Sequence, residues 1–134
     1  MVVLLGWLGA DAAEGEARLA ERESWLVSRV AGLRIFPDAQ GRMNLNLGDY
    51  LRSSGSSGGI LWVPQFTLAA KLESGFRPSF TDALEPNLAR QRFDALRARL
   101  GQETQNYTQI FGDFGADMTL SFSNWGPVTI PLEA

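Results

Sequence analysis

A short apolar run that ends at a proline constrains the fold of this chain more than any other feature. Residues 60–63 read Ile-Leu-Trp-Val, which is typical of a strand buried within a sheet. Pro64 follows, and proline has no backbone N–H to donate to a neighbouring strand. Residues 65–68, Gln-Phe-Thr-Leu, then alternate polar and apolar side chains. From these residues alone, the simplest interpretation is a strand end with a packed phenylalanine and a threonine bonded to the backbone.

Two helices are predicted from apolar residues at helical spacing. The first begins at Glu16, and its apolar face is formed by Leu19, Leu26, Val30 and Leu33. Gly32 is expected to end it. The second covers residues 88–100, with a core stripe formed by Ala89, Phe93, Leu96 and Leu100.

Short strands are predicted at residues 2–8 and 33–36, and two more within 117–132, around a turn at Asn124-Trp125-Gly126. The Gly- and Ser-rich segment 52–59 is predicted to be a surface loop, and residues 74–86 an irregular loop. The chain of 134 residues has no internal repeat and no visible domain boundary. We therefore predict an α/β fold in one domain that spans residues 1–134.

Two missing residue types exclude several kinds of chemistry. The chain has no Cys, so it has no disulfide, no thiolate nucleophile and no cysteine-ligated zinc. It has no His, which removes the usual general base, the Ser-His-Asp triad and the commonest metal ligand. An enzyme built on this chain must move protons through carboxylates, hydroxyls, backbone, water or its own substrate.

The distribution of apolar residues predicts a chain that does not cross a membrane. No apolar run reaches the roughly 18 residues that a membrane helix needs. The first residues, MVVLLGWLG, lack the basic flank of a signal peptide and are expected to form a strand. A cytosolic location is compatible with a chain that contains no Cys.

The net charge of the chain argues against nucleic-acid binding over the whole surface but allows it at a local basic patch. The formal net charge of −3 argues against a broad, non-specific interaction with nucleic acid. Four arginines surround the core stripe of the second helix, Arg90, Arg92, Arg97 and Arg99. They form either a solvated helix face or a patch that follows phosphates.

Three further local features are not specific when each is taken alone. Arg77 precedes Pro78, and it either pairs with a surface carboxylate or holds a phosphate. Asp113 and Asp117 could form a carboxylate pair, but no other metal-type ligand has the right spacing, so no metal site is predicted. By composition, residues 126–127, Gly-Pro, favour a trans hairpin turn.

Six short segments occur along the chain in a particular order: LRIF at 33–36, RMNL at 42–45, QFTL at 65–68, RPSF at 77–80, FGADM at 114–118 and NWGPVT at 124–129. Residues 2–6 are similar to the strand that would precede the first helix. Together these segments resemble the D-aminoacyl-tRNA deacylases, which remove D-amino acids wrongly attached to tRNA.

The resemblance implies a compact α/β domain in which β-sheets pack with two main helices as three layers (β/β/α). It implies a homodimer, tRNA as partner, and neither cofactor nor metal. The residues Pro64, Gln65, Phe66 and Thr67 match the catalytic Ser-Gln-x-Thr motif. Gly126 and Pro127 match a Gly-Pro motif, cis in typical members, which enters the partner subunit's pocket and rejects L-amino acids. The other substrate-binding positions implied are Arg77, Ala83, Phe114, Ala116, Met118 and Asn124, of which Phe114 and Met118 receive the terminal adenosine.

The implied reaction is hydrolysis of the ester bond of D-aminoacyl-tRNA in the cytoplasm, and it fits a chain without His. Pro64 would turn the chain outward, so that Phe66 offers a face to a nucleobase and Thr67 an oxygen beside the ester carbonyl. Backbone N–H groups can stabilise the oxyanion. We expect Thr67 and the backbone near Phe66 to position substrate and water. A Thr67 nucleophile is the alternative, and it would need a nearby base.

Three departures from the family pattern bear on specificity. Pro64 stands where typical members have Ser, as in animal relatives that act on L-alanyl-tRNA. Compared with typical members, the chain is expected to lack strands at its N-terminus. The missing part would include an Arg that braces the Gly-Pro turn, and Arg77 or Arg34 could take the place of that Arg. Trp125 replaces a small or acidic residue. The alternatives are therefore a relaxed deacylase that acts on L-Ala-tRNA or Gly-tRNA, and an inactive homologue that binds tRNA ends or a protein partner.

Overall fold

The fold is built around a three-stranded parallel sheet. The computed structural model describes residues 1–73, 75–102 and 106–134, so residue 74 of the loop predicted at 74–86 lies outside the described residues. The elements, in chain order, are β1 (Val2–Leu5), α1 (Gly9–Ala13), α2 (Glu16–Gly32), β2 (Phe36–Pro37), β3 (Met43–Leu45), α3 (Leu47–Ser54), β4 (Gly59–Pro64), a 3-10 helix (Phe66–Ala69), α4 (Pro86–Gln102) and β5 (Thr108–Phe111). Helices and a parallel sheet together confirm the α/β prediction.

The apolar run 60–63 lies at the centre of this sheet, in β4, between β1 and β5. Ile60 and Trp62 are 1% and 2% exposed, as a strand buried on its inner face requires. Pro64 is the last residue of β4 and pairs in register with Leu5. The N–H of Gln65 donates to the Leu5 carbonyl at 2.7 Å, after which the chain leaves the sheet. The strand therefore ends where the proline predicted.

The two predicted helices are present, and their sequence signals are visible in the structure. Helix α2 begins at Glu16 and ends at Gly32, as predicted. The predicted core stripe of α4 is buried at all four positions, Ala89, Phe93, Leu96 and Leu100. Pro86 occupies the first position of α4, and the Glu85 carboxylate before it accepts two backbone N–H groups of the first turn, both at 3.0 Å.

One arginine of α4 is an exception to both predicted roles of the arginine face. Arg92 is 7% exposed, and its Nε donates to Oε1 of Glu23 on α2 at 2.8 Å. Nε1 of the buried Trp7 donates to the same oxygen at 2.8 Å. The hydrogen bond and the charge of Glu23 raise the pKa of Arg92 above its ordinary value. This ion pair ties α2 to α4, and it places Arg92 inside the protein rather than on a solvated face or a phosphate patch.

Three predictions of secondary structure are wrong in whole or in part. The strand predicted at 33–36 is displaced, because residues 33–35 lie outside any strand and β2 covers Phe36–Pro37. Residues 112–134 contain no strand, although two were predicted within 117–132. A strand needs a partner to satisfy its backbone groups, and the segment pairs with none of the residues that the structure describes. Segment 52–59 is a loop only from Gly55, because α3 extends to Ser54. Asn46 caps α3 by accepting the N–H of Asp49, and Leu47 and Leu51 are buried beneath it.

The sheet and helices form a molecule with two free sheet edges. Strands β1 and β5 each have a partner on one side only, β4, among the described residues. Strands β2 and β3 form a separate antiparallel pair. Within the described ranges, no helix is both long enough and apolar enough to cross a membrane.

Candidate functional site

A cavity of about 310 Å³ opens where β4 and β5 end. One wall is formed by residues 63–66, at the end of β4 and just beyond it, and the other by residues 115–118 with Leu120, after β5. The carboxyl ends of neighbouring parallel strands are where α/β sheets usually bind ligands. The structure therefore brings together Pro64, Gln65, Phe66, Ala116 and Met118 from the residues expected at the site.

A glycine sets how closely the two walls approach each other. The N–H of Gly112 donates to the Trp62 carbonyl at 2.8 Å, which holds the segment after β5 against β4. A Cβ atom at Gly112 would lie 3.0 Å from Sδ of Met118 and 3.4 Å from Cδ of Pro64. A larger residue would require the Met118 side chain to shift by a few tenths of an ångström, so the glycine at this position leaves room for Met118 against the wall.

The wall after β4 presents an aromatic ring supported from behind. Phe66 is 58% exposed, and the edge of its ring system contacts Phe80, with centroids 5.1 Å apart and planes at 71°. Nε2 of Gln65 donates to Oγ1 of Thr67, which links the second and fourth residues of the Pro64-Gln65-Phe66-Thr67 motif. Thr67 belongs to the 3-10 helix and does not line the cavity. Its side chain thus contacts the cavity only through Gln65.

The wall after β5 is anchored by a phenylalanine that packs inward. Phe114 lies against the core, with its ring centroid 6.3 Å from that of Phe93. Gly115 follows with φ of +78°, a conformation that favours glycine. The chain then turns, so that Ala116 and Met118 line the cavity while Phe114 does not.

The Gly-Pro segment does not line this cavity. The bond between Gly126 and Pro127 is cis, so the trans turn favoured by composition is wrong. Neither residue lines the cavity, and neither does Asn124, whose Oδ1 accepts the N–H of Val128 at 3.4 Å. Trp125 beside them is 83% exposed. Within one chain, the two motif loops therefore do not enclose a common space.

The remaining expected residues lie on the loop between the 3-10 helix and α4. Arg77 is exposed. Ala83 forms an isolated antiparallel bridge with Leu8. Neither lines the cavity. Their positions give no direct contact with a ligand held there by a single chain.

Sequence reasoning did not assign four cavity residues, Val63, Gly115, Asp117 and Leu120. Val63 could have been found from its position at the end of β4, whereas the other three lie in the longer segment after β5 and had no comparable signal. Asp117 was considered only as one of a carboxylate pair. In the described ranges, no group of three or more residues of metal-ligating type lies together.

A second, larger cavity of about 480 Å³ lies between the β2–β3 hairpin and the end of α3. Asp38 lines this cavity, but its carboxylate already accepts hydrogen bonds from the hairpin. Asp38 accepts backbone N–H groups from Gln40 at 2.9 Å and Arg42 at 3.0 Å, and Nδ2 of Asn44 at 3.1 Å. These bonds, first among them that of the Arg42 backbone, lower the pKa of Asp38 below its ordinary value. This carboxylate stabilises a turn, so we place the candidate site at the end of the parallel sheet instead.

The fold and this site define an α/β protein with a ligand cavity at the carboxyl ends of parallel strands. A family model described as D-Tyr-tRNA(Tyr) deacylase matches residues 1–133. The D-aminoacyl-tRNA deacylase of Thioalkalivibrio sulfidiphilus is 43% identical over 97% of this chain and 79% of its own length. That of Solidesulfovibrio magneticus is 41% identical over 100% of this chain and 79% of its own length.

A solved structure agrees with these sequence matches. The protein named c-Myc DNA Unwinding Element Binding Protein superposes with a TM-score of 0.79 and 28% identity, covering 99% of this chain and 80% of that one. The chain therefore belongs to the D-Tyr-tRNA(Tyr) deacylase family. The curated relatives carry names of hydrolases, which is the enzyme class that the sequence predicted.

Proposed function

We propose that this chain hydrolyses the ester that joins a D-amino acid to the terminal ribose of tRNA, releasing the free D-amino acid and tRNA. The observation that carries the proposal is the cavity itself, because segments 64–66 and 115–118, both from motifs of the family, face each other across it. Its volume of about 310 Å³ suits part of a small ligand, since pockets for small molecules span roughly 300–1,000 Å³.

The exposed ring of Phe66 suits a nucleobase. Stacking of a base on an aromatic ring stabilises binding by about 1–3 kcal/mol and requires no particular base. The contact with Phe80 restrains the ring and leaves more than half of the side chain exposed, enough for a base to stack on one face. We place the terminal adenine on this face and the amino acid toward Met118.

The chemistry proceeds without an imidazole. Water attacks the ester carbonyl, the bond from the carbonyl carbon to the ribose oxygen breaks, and the proton released by water passes to that ribose oxygen, helped by the neighbouring ribose hydroxyl. The negative charge that develops on the carbonyl oxygen needs N–H donors. The 3-10 helix begins at Phe66, and the first N–H groups of any helix have no partner within it. We assign these backbone groups near Phe66 to the oxyanion.

A second copy of the chain would complete the site. The C-terminal segment exposes large apolar side chains, Leu120, Phe122, Trp125 and Ile130. Both outer strands of the sheet have free edges within the described residues, and such edges favour pairing with another chain. A homodimer in the cytoplasm, with Gly126-Pro127 of one chain entering the cavity of the other, would bring this motif to a cavity that it does not line within its own chain.

Hydrolysis of four charged tRNAs tests the proposal. We expect D-Tyr-tRNA to be deacylated and L-Tyr-tRNA to remain intact, with release of labelled amino acid as the measurement. Turnover of L-Ala-tRNA or Gly-tRNA without turnover of D-Tyr-tRNA would instead identify the relaxed deacylase. An absence of turnover on D-Tyr-, L-Ala- and Gly-tRNA would leave an inactive homologue and overturn the proposal.

The Thr67 hydroxyl is expected to act on Gln65 rather than on the substrate. Replacing it in Thr67→Ala should lower the rate of the chemical step about tenfold, because a positioning hydrogen bond of this kind contributes about 1.4 kcal/mol or less. Thr67→Ser, which keeps an oxygen that can accept from Gln65, should restore most of the rate. Single-turnover hydrolysis of D-Tyr-tRNA is the measurement. A nucleophilic Thr67 predicts a different result, complete loss of activity in Thr67→Ala.

A further inference from the structure

Two arginines of α4 have their guanidinium groups over aromatic rings beside the site. The guanidinium of Arg90 is 4.9 Å from the centroid of Phe114, and that of Arg97 is 5.9 Å from the centroid of Phe111. The two positions are seven residues apart, so about 10.5 Å separates them along the helix axis. Stacking uses the face of a guanidinium and leaves the N–H groups in its plane free to donate.

Neither of these guanidiniums has a carboxylate within 4.0 Å among the residues that the structure describes. Asp94 lies between them in sequence on the same helix but pairs with neither. Most other arginines of the described ranges are engaged with acidic residues, namely Arg18, Arg22, Arg42, Arg52 and Arg92. The positive charge of Arg90 and Arg97 therefore remains available for an anion from outside the chain.

The Arg90–Arg97 row begins at the rim of the cavity. Nη2 of Arg90 lies 3.2 Å from the point where a Cβ atom at Gly115 would stand, and Gly115 lines the cavity. From there the row continues over Phe111, at the end of β5. The carboxylate of Asp117, on the cavity wall, disfavours a phosphate crossing that wall directly. A polyanion that ends in the cavity would therefore meet the arginines of α4.

We propose that Arg90 and Arg97 bind the phosphates of the single-stranded 3′ end of tRNA as it leaves the cavity along α4. The inference rests on the proposed function, since it takes its ligand from there, and adds the surface that holds the nucleic acid. Guanidinium N–H groups bind phosphate oxygens in pairs, which suits these two side chains better than lysines. The net charge of −3 disfavours RNA binding spread over the whole surface, so a local contact such as this row is favoured.

The salt dependence of binding to uncharged tRNA tests this surface without requiring turnover. Each phosphate contact with a single strand contributes about 0.7 to the slope of log affinity against log salt. The double variant Arg90→Gln/Arg97→Gln should therefore lower the slope by about 1.4. The ratio of its tRNA affinity at 50 mM salt to that at 200 mM salt should then be about sevenfold smaller than the same ratio in the wild type. Fluorescence anisotropy of labelled tRNA is the measurement.

The matched control is Arg29→Gln on α2. Arg29 is exposed and stacks on Trp25 with the same centroid distance of 4.9 Å, and no carboxylate pairs with it within the described ranges. Arg29 lies on α2 and not in the Arg90–Arg97 row, so Arg29→Gln should leave the slope unchanged. Arg90→Lys/Arg97→Lys should keep the slope, because the slope counts charges. The single variant Arg97→Gln, expected to lower the slope by about 0.7, covers the case in which the double variant unfolds.

Two results would overturn the inference: a slope that is the same in the wild type, Arg97→Gln and a folded double variant, or no binding of tRNA by the wild type. Failure of the proposed function would look different. In that case, D-Tyr-tRNA would not be hydrolysed, yet the slope would still fall when the arginines are replaced.

Discussion

Glu23→Ala is expected to lower the free energy of unfolding by about 3 kcal/mol, the largest effect on stability that we predict for one side chain. The substitution leaves the guanidinium of Arg92 buried without its main counter-charge and Nε1 of Trp7 without its acceptor. Removing one partner of a buried ion pair is destabilising by about 3–5 kcal/mol. We expect the lower end because Glu16, which is largely exposed, also contacts Arg92 and partly offsets the loss.

Urea denaturation followed by circular dichroism measures this difference as a shift of the midpoint at constant slope. The control is Glu21→Ala, which breaks the ion pair between Arg18 and Glu21 on the surface of the same helix, where both side chains are more than half exposed. It should change the free energy of unfolding by at most about 1 kcal/mol. Equal effects of the two substitutions would contradict a special role for the buried pair.

A double substitution separates the cost of an unpaired charge from the value of the pair. Glu23→Leu/Arg92→Met removes both charges and refills the space with apolar side chains. Replacing both partners is often neutral or stabilising, so this variant should be more stable than Glu23→Ala.

The contrast between Arg92 and its neighbours shows what the sequence of α4 could and could not predict. The stripe of Ala89, Phe93 and Leu96 follows from helical periodicity, which depends on this helix alone. Arg92 falls beside that stripe in the same pattern as Arg99. Only the position of Glu23 on another helix decides that Arg92 is buried, and no local pattern carries that information.

At the site, too, some features follow from the local sequence and others depend on residues that are distant along the chain. The end of β4 at Pro64 could be predicted, because proline lacks the donor that a continuing strand needs. The resemblance placed Met118 near the segment after Pro64, and the structure brings both to one cavity. Residues 117–132 alternate like strands, yet pairing depends on a neighbouring strand, and the described part of the chain places none beside them. That Thr67 faces Gln65 rather than the cavity was also beyond the sequence, since a 3-10 turn sets its direction.

Gly6→Ala is expected to lower kcat/KM on D-Tyr-tRNA about 100-fold, the largest effect on activity that we predict for a residue outside the cavity. A Cβ atom at Gly6 would lie 2.8 Å from the backbone oxygen of Gln65 and 3.6 Å from Cβ of Leu68. A contact of 2.8 Å with a backbone atom can be relieved only by moving the backbone, and the backbone concerned carries the segment 64–67. Misplacing a catalytic segment by about 1 Å can lower a rate by about 10².

The Gly6 substitution acts through the position of one loop, and a second glycine tests this. Gly32→Ala adds the same methyl group at the end of α2, where no atom lies within 4 Å. Alanine is favoured over glycine in helices by roughly 1 kcal/mol, so Gly32→Ala should keep full activity and be slightly more stable. Gly6→Ala must be folded, by near-ultraviolet circular dichroism, for its rate to be interpreted. A folded Gly6→Ala with the wild-type rate would contradict the expectation that the position of backbone 64–67 against Gly6 sets the rate.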